Sequence, residues 1–262
     1  MFPSHGFVFR LRKKVGGSVA VGTRSVFVFC RKELAVSGST RNNSSGGRPG
    51  GSREKQDALK RYRDKRHFTR TAEPRGAVGS AEGAPSFVVQ IHDASTMHFD
   101  FRLEVDGVLK SWSVPKGPSP DPREKRLAVP TEDHPLEYRE FEGVVPSGEY
   151  GAGTVIVWDE GTYRPLSDDF PKAIRHGHVK FWLDGVKLHG GYALTRFRGS
   201  GAGGGDGREA WLLVKERDER AAPDSRTPDP VRARSARTRR TLNQVNAEAA
   251  DGDGDGDGGK RA

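Results

Sequence analysis

Regular alternation between apolar and ionisable residues in the stretch His92–Glu104 constrains the fold more than any other feature of the chain. Successive side chains of a β-strand point to opposite faces, so a strand that begins at Met97 has two distinct faces. The apolar face carries Phe99, Phe101 and Leu103. The ionisable face carries His98, Asp100 and Arg102. The stretch therefore predicts a strand with one face in a core and a polar site on the other.

Short segments of β-forming residues, separated by glycine-containing turns, continue along most of the chain. The predicted strands are Phe87–His92, Thr96–Asp106, Val108–Val114, Arg126–Pro130, Thr154–Trp158, Thr162–Pro165, His178–Asp184, Val186–Leu188, Tyr192–Arg198 and Trp211–Glu216. Hairpin turns are predicted at Asp106-Gly107 and at Asp159-Glu160-Gly161, and a mobile loop at Gly199–Gly207. This pattern predicts a mainly β fold, a small closed or nearly closed β-barrel.

Composition predicts a folded domain between two disordered arms. Only 33% of the 262 residues are hydrophobic, which is low for a chain packed along its whole length. We expect a basic, disordered extension over residues 1–52, the barrel domain over 53–217 and a disordered Arg/Asp/Gly-rich tail over 218–262. Residues 53–66 favour a helix that flanks the barrel at its N-terminal side.

Most of the net charge of +9 lies outside the predicted domain. Residues 1–52 hold nine Lys and Arg against one acid, whereas residues 53–217 hold 26 basic and 25 acidic residues. Any affinity of the domain for a polyanion must therefore come from local clusters or from a metal. An extension that grips DNA is the alternative to a non-folding arm for residues 1–52.

The single cysteine, Cys30, excludes an internal disulfide framework and a cysteine-based zinc site. It fits a reducing compartment, and we expect a cytoplasmic, nucleoid-associated protein. No apolar run approaches the ~18 residues of a membrane helix, so no membrane association is predicted.

Two readings of the ionisable strand face are open from the residues alone. In one, His92 ends the preceding strand, and a tight loop brings its ring beside His98 and Asp100. Two imidazoles and a carboxylate suit Mn²⁺, Fe²⁺ or Zn²⁺. In the other, His98 and Asp100 form a hydrogen-bonded pair and Arg102 makes a salt bridge.

Four residues in or beside loops add candidate groups for phosphate chemistry: Lys116, Arg126, His134 and Tyr138. Cations neutralise phosphate oxygens, and an imidazole can donate to a leaving oxygen. Singly, each is more often a surface cation or a turn residue. A non-haem iron oxygenase that uses His98, Asp100 and the distal His189, with Arg198 for an oxo-acid, is a less favoured alternative.

Several ordered motifs resemble the 3′-phosphoesterase module of bacterial DNA ligase D. They lie in Phe87–Glu104, Trp112–Pro118, Thr131–Tyr138 and Pro146–Thr154, and the resemblance extends over roughly residues 59–217. No ligase or polymerase module fits in the remaining residues, so the free-standing form of the module is expected.

The resemblance implies a Mn²⁺-dependent enzyme of non-homologous end joining. Such an enzyme removes a 3′-terminal ribonucleoside and then the 3′-phosphate from primer-template ends, leaving a 3′-OH. The implied metal ligands are His92, His98 and Asp100. The implied catalytic and phosphate-binding groups are Arg102, Lys116, Arg126, His134 and Tyr138, with Arg66 and Glu73 as further substrate-binding residues. The implied partners are DNA 3′ ends, a strand-joining ligase and Ku, and the protein is expected to be a monomer. Water is expected to attack the phosphorus directly.

The chain departs from the family at His67, where the family commonly has Asp. If that Asp serves the ribonuclease step, the chain is expected to keep the phosphatase step and to be weaker at the other. The competing class is a DNA-end-binding module without catalysis. The presence of all the matched ligands argues against it, because such a module has no need of a metal.

Overall fold

A computed structural model describes residues 58–79, 83–197 and 209–254, with side chains to residue 251. Nine strands lie in this described part: β1 Ser86–Asp93, β2 His98–Val105, β3 Val108–Val114, β4 Lys125–Pro130, β5 Gly143–Val145, β6 Gly153–Pro165, β7 His178–Gly185, β8 His189–Phe197 and β9 Ala210–Lys215. The helices described are α1 Lys60–Asp64, a 3₁₀ helix Leu136–Glu140, α2 Phe170–His176 and α3 Leu242–Gly254.

Eight of the described strands close into an antiparallel barrel in the order β1-β2-β3-β4-β9-β8-β7-β6, and β6 pairs back onto β1. The long β6 makes closure possible, because Thr154–Thr162 pair with β1 while Gly161–Pro165 pair with β7. The short β5 adds to the outside of this ring through β6. The prediction of a mainly β barrel with a flanking N-terminal helix is confirmed.

The barrel interior is filled by alternate residues of its strands. Phe99, Phe101 and Leu103 of β2 are buried in this cluster, as the alternation predicts. Phe170 of α2 packs edge-on against Phe181 of β7 and extends the same cluster. The apolar face of β2 therefore supports the barrel.

A second, smaller core lies on the outer side of β1, β3 and β6. Its members are Tyr62 of α1, Val88, Leu109, Val155 and Val157 of the barrel, Leu136 and Tyr138 of the 3₁₀ helix, and Phe141 and Val145. The segments that carry α1 and the 3₁₀ helix are thus held against the barrel wall by apolar contacts. This layer lies on the side of β2 that carries its ionisable residues.

The hairpin predicted at Asp159-Glu160-Gly161 is wrong, because these residues continue β6. The pairing with β1 shifts register so that Val89 faces Asp159 and Gln90 faces Val157, which leaves one extra residue on β6. A β-bulge therefore absorbs the turn-forming residues. The strand predicted at Val186–Leu188 is also corrected: these residues connect β7 to β8, where Asp159 accepts hydrogen bonds from the backbone N–H groups of Lys187 and Leu188.

The prediction of a disordered tail over residues 218–262 is corrected for residues 218–254. Ala233, Leu242 and Val245 are buried in the main core, and the N–H of Ala236 donates to the carbonyl of Val157. Arg240 bonds Glu142 on the barrel side. Three buried side chains and a paired arginine hold this segment against the barrel. Because the segment contains few apolar residues, its composition predicted disorder.

The remaining predictions on chain organisation concern residues beyond those described. Residues 1–57, the glycine-rich loop Gly199–Gly207 and residues 255–262 lie outside the described part, so only the end of the helix predicted over 53–66 is observed, as α1. Among the described residues, no helix is long and apolar enough to cross a membrane.

Candidate active site

The β1–β2 hairpin brings the two histidines and the aspartate of the predicted cluster together. His92 and His98 are directly paired across the hairpin, with ring centroids 4.9 Å apart. Asp100 lies 3.5 Å from His98 Nε2 through Oδ1 and 3.8 Å from His92 Nδ1 through Oδ2. One ligand atom from each residue lies within 4.8 Å of the others, a spacing that a single metal ion can bridge.

Backbone carbonyls fix the orientation of both imidazole rings. His92 Nε2 lies 2.9 Å from the carbonyl of Gly151, and His98 Nδ1 lies 2.8 Å from that of Thr96. A carbonyl accepts an N–H, so the other nitrogen of each ring carries the lone pair, directed toward Asp100. This is the arrangement that commonly positions histidine ligands of metals. The donor set fits a divalent metal such as Mn²⁺, Fe²⁺ or Zn²⁺.

The buried guanidinium of Arg102 connects the metal ligands to the rest of the site. It donates from Nε to Gln90 Oε1 at 2.8 Å, from Nη1 to Ser111 Oγ at 2.9 Å and from Nη2 to Asp100 Oδ2 at 2.8 Å. Burial acts to raise the pKa of Asp100, but the charge of Arg102 and the interactions with His92 and His98 together outweigh it, so the pKa lies well below its usual value. The geometry is compatible with both sequence readings, since the Arg102–Asp100 salt bridge coexists with a group of side chains that could hold a metal.

The imidazole of His134 lies between two guanidinium groups. Arg102 Nη1 is 3.0 Å from His134 Nδ1, and Arg66 Nη2 is 3.4 Å from His134 Nε2. Burial and the two positive charges hold the pKa of His134 well below its usual value. The ring is therefore neutral at neutral pH.

Arg66 enters the site from the segment that follows α1. Its Nε donates to Glu73 Oε1 at 2.8 Å, and its Nη1 lies 3.1 Å from Glu132 Oε1. Tyr138 OH donates to the same oxygen of Glu73 at 3.0 Å. Burial raises the pKa of Tyr138 well above its usual value, so its hydroxyl remains a hydrogen-bond donor.

Eight of the residues proposed from sequence line one cavity of about 150 Å³. They are Arg66, Glu73, His92, His98, Asp100, Arg102, His134 and Tyr138. Four lie on β1 and β2; of the other four, Arg66 and Glu73 follow α1 in the chain, His134 precedes the 3₁₀ helix and Tyr138 lies in it. The cavity therefore lies between the barrel wall and the second layer.

Two predicted phosphate-binding residues are not among those that line the cavity. Lys116 is exposed in the connection between β3 and β4. Arg126, on β4, bonds Glu124, and its Nη2 lies 3.3 Å from Thr227 Oγ1. His189 also lies apart from the cluster, with Nδ1 3.6 Å from Asp184 Oδ1, so the iron site through His189 is not supported. Arg198, its proposed companion, lies outside the described residues.

Four residues of the site were missed: Gln90, Ser111, Glu132 and Tyr150. Strand alternation could have found Gln90, which is two residues before His92 on the same face. The register set by the Asp106-Gly107 turn could have found Ser111, which pairs directly with Arg102. No sequence signal indicates that Glu132 and Tyr150 reach the cavity.

A family model described as the DNA ligase D 3′-phosphoesterase domain matches residues 90–196. The β domain is a DNA ligase D 3′-phosphoesterase domain. The chain is 47% identical over 196 residues to the multifunctional non-homologous end joining protein LigD of Pseudomonas aeruginosa, covering 73% of this chain and 22% of that protein. It is 48% identical over 144 residues to LigD of Mycobacterium tuberculosis, covering 55% of this chain and 19% of that protein. It is 38% identical over 179 residues to LigD of Mycolicibacterium smegmatis, covering 66% of this chain and 22% of that protein.

The chain thus spans about a fifth of the length of the relatives it matches. The relatives are named as multifunctional end-joining proteins, and the family model that matches residues 90–196 is described as a 3′-phosphoesterase domain. The region matched to the 3′-phosphoesterase domain contains the metal-ligand cluster, His134 and Tyr138, whereas Arg66 and Glu73 precede it.

Proposed function

We propose that this 3′-phosphoesterase domain removes 3′-phosphate, and less efficiently a 3′-terminal ribonucleoside, from DNA primer-template ends, with Mn²⁺ as its metal. The product is a 3′-OH for repair synthesis and ligation. One observation carries the proposal: a single small cavity contains a metal-ligand cluster, two buried guanidinium groups and a neutral imidazole. Phosphoryl transfer needs these three kinds of group together.

Each residue of the cavity has a distinct part in this chemistry. Arg66 and Arg102 donate to non-bridging phosphate oxygens, and the Tyr138 hydroxyl provides a neutral donor. His134 stabilises the transition state as a neutral hydrogen-bond donor. A bound Mn²⁺ would polarise a phosphate oxygen and neutralise its charge. Water attacks phosphorus directly. Lys116 and Arg126 are proposed to contact the DNA strand outside the cavity, which accounts for their position.

The proposed setting is non-homologous end joining in the cytoplasm. The relatives are named as multifunctional end-joining proteins, and this chain matches only one segment of them. We propose that it acts on DNA 3′ ends, as a monomer, with a ligase and Ku as partners.

Turnover of end-labelled primer-templates that end in a 3′-phosphate tests the proposal. The wild-type protein should release phosphate with Mn²⁺ and not with EDTA. His92→Ala and His134→Ala should each abolish release while the proteins remain folded. His178→Ala is the matched control, because His178 is exposed on β7 and bonds only Thr195 among the contacts described.

Two results would overturn the assignment. Unaltered phosphate release in both His92→Ala and His134→Ala would show that the cavity is not the site of the reaction. Tight binding of DNA ends without turnover, in wild-type protein that contains its metal, indicates the non-catalytic end-binding module instead. A metal-content measurement on the purified protein distinguishes Mn²⁺ from iron.

A further inference from the structure

The aromatic ring of Tyr150 lies at the mouth of the cavity and is half exposed. Tyr150 lines the cavity beside Gly151, yet 49% of its surface is accessible. Among the described residues, few large hydrophobic side chains are this exposed. The other aromatic residues of the site, Tyr62 and Tyr138, are buried in the second layer.

The loop that carries Tyr150 is held in place by the metal site. The carbonyl of Gly151 accepts a hydrogen bond from His92, as described above. Turn hydrogen bonds run from the N–H of Glu149 to Pro146 and from the N–H of Ala152 to Glu149. Gly151 has a φ of +79°, a conformation that favours glycine and allows this sharp turn. Tyr150 is therefore presented at a fixed position next to a metal ligand.

A cation already covers part of the Tyr150 ring. Lys65 Nζ lies 4.2 Å from the ring centroid and donates to the phenol oxygen at 2.9 Å. Lys65 also bonds Glu132 at 3.0 Å, which fixes the ammonium group. The guanidinium carbon of Arg66 lies 5.7 Å from the same centroid. These contacts restrain the orientation of the ring, while 49% of the residue stays accessible to another flat group.

The size of the cavity determines what can enter it. Pockets that enclose whole drug-sized ligands measure about 300–1,000 Å³. A cavity of about 150 Å³ accepts a phosphate group and a metal but not a nucleoside. The sugar and base attached to a bound 3′-phosphate must therefore remain at the mouth, where Tyr150 is exposed.

We infer that Tyr150 is a stacking platform for the terminal nucleoside of the 3′ end. This inference rests on the proposed function and assigns to Tyr150 the recognition of the base, separate from the chemistry in the cavity. Stacking on an aromatic ring tolerates any base, as end repair requires, because every base has a π-face.

Fluorescence of a 2-aminopurine placed as the terminal 3′-phosphorylated nucleotide tests the inference. The measurement uses the full chain in a His134→Ala background with Mn²⁺, so that the phosphate is retained. Binding should quench the fluorescence. Tyr150→Ala should lose the quenching, and Tyr150→Phe should keep it. Leu166→Ala is the control for loss of an exposed apolar side chain, because Leu166 is also 49% exposed.

Kinetics of otherwise wild-type proteins give a second readout. Tyr150→Ala should raise KM for the DNA about 10-fold or more and leave kcat little changed. The rise in KM should be clearly smaller for a phosphomonoester without a base. Equal quenching and equal KM in Tyr150→Ala and wild type overturn the stacking role while phosphate release stands. A wild-type protein that neither binds nor hydrolyses the DNA overturns both proposals.

Discussion

Asp100 presents its two carboxylate oxygens to different partners, because Arg102 Nη2 holds Oδ2 at 2.8 Å while Oδ1 faces His98 Nε2 at 3.5 Å. The guanidinium keeps the carboxylate ionised and fixes its plane. One oxygen is thus tied to a buried cation, and the other remains directed toward a ligand nitrogen. The same aspartate pairs with a buried charge in the barrel wall and belongs to the proposed metal site.

Removing either Asp100 or His98 should abolish metal binding, but with different costs in stability. Asp100→Ala leaves the buried charge of Arg102 unpaired, which should lower the free energy of unfolding by about 3–5 kcal/mol. His98→Ala leaves no such charge and should cost clearly less. Mn²⁺ titration calorimetry and denaturation in EDTA measure the two effects. Equal destabilisation by the two variants would contradict the dual role of Asp100.

The depressed pKa of His134 predicts a loss of stability in mild acid. The unfolded chain binds a proton at this residue near the usual pKa of about 6.5, whereas the folded protein does not. Stability should therefore fall as the pH falls below 6.5, by about 1 kcal/mol between pH 6.5 and 5.5. Urea denaturation at these two pH values compares wild type with His134→Gln. An equal acid loss in the variant would contradict the prediction.

The segment over residues 218–254 should contribute to the stability of the barrel. Leu242→Ala removes a buried side chain of the main core and should cost about 2–3 kcal/mol. Asn243→Ala, at the exposed neighbouring position, should have little effect. Thermal denaturation of both variants measures the difference. If the two variants have the same melting temperature, the packing of this segment does not stabilise the fold.

His67 should set the balance between the two proposed reactions. Its Nδ1 lies 2.9 Å from Glu149 Oε2, and its exposed ring lies beside the loop of Tyr150. Restoring the family residue in His67→Asp should raise removal of a 3′-ribonucleoside, relative to phosphate release, about tenfold or more. Turnover of primer-templates with each end gives the ratio. His67→Asn is the control of equal size without the charge, and an equal gain in both variants would contradict an acid-base role.

The proximity of His92, His98 and Asp100 could be predicted from sequence because it depends on local geometry alone. Strand alternation places His98 and Asp100 on one face, and a five-residue gap returns His92 to their side. The cavity as a whole could not be predicted in this way. Arg66, Glu73 and His134 reach it only because a second layer packs on the outside of the barrel, and that packing joins segments far apart in sequence. Their assignment came from family resemblance.

Errors in the predicted fold have two physical causes. The turn-forming residues at Asp159–Gly161 were overridden by pairing with β1, since a bulge costs less than breaking barrel closure. Helix α2 was missed although its signals were present. The Asp169 side chain caps the N-terminus by accepting a hydrogen bond from the N–H of Lys172, and Gly177 ends the helix with a φ of +87°. The C-terminal segment was predicted to be disordered because it contains few apolar residues. Those few, which include Leu242 and Val245, are buried in the main core.

Strand β2 carries two sets of residues that do not contact the same surroundings. Its inward side chains pack within the closed interior, and three of its outward side chains, His98, Asp100 and Arg102, face the cavity. Substitutions on the outward side therefore leave the interior packing intact, provided that the buried charges of Asp100 and Arg102 stay paired or are replaced together. A scaffold of this kind can exchange one chemistry for another without losing its fold, which makes the outer wall of this barrel a suitable starting point for redesign.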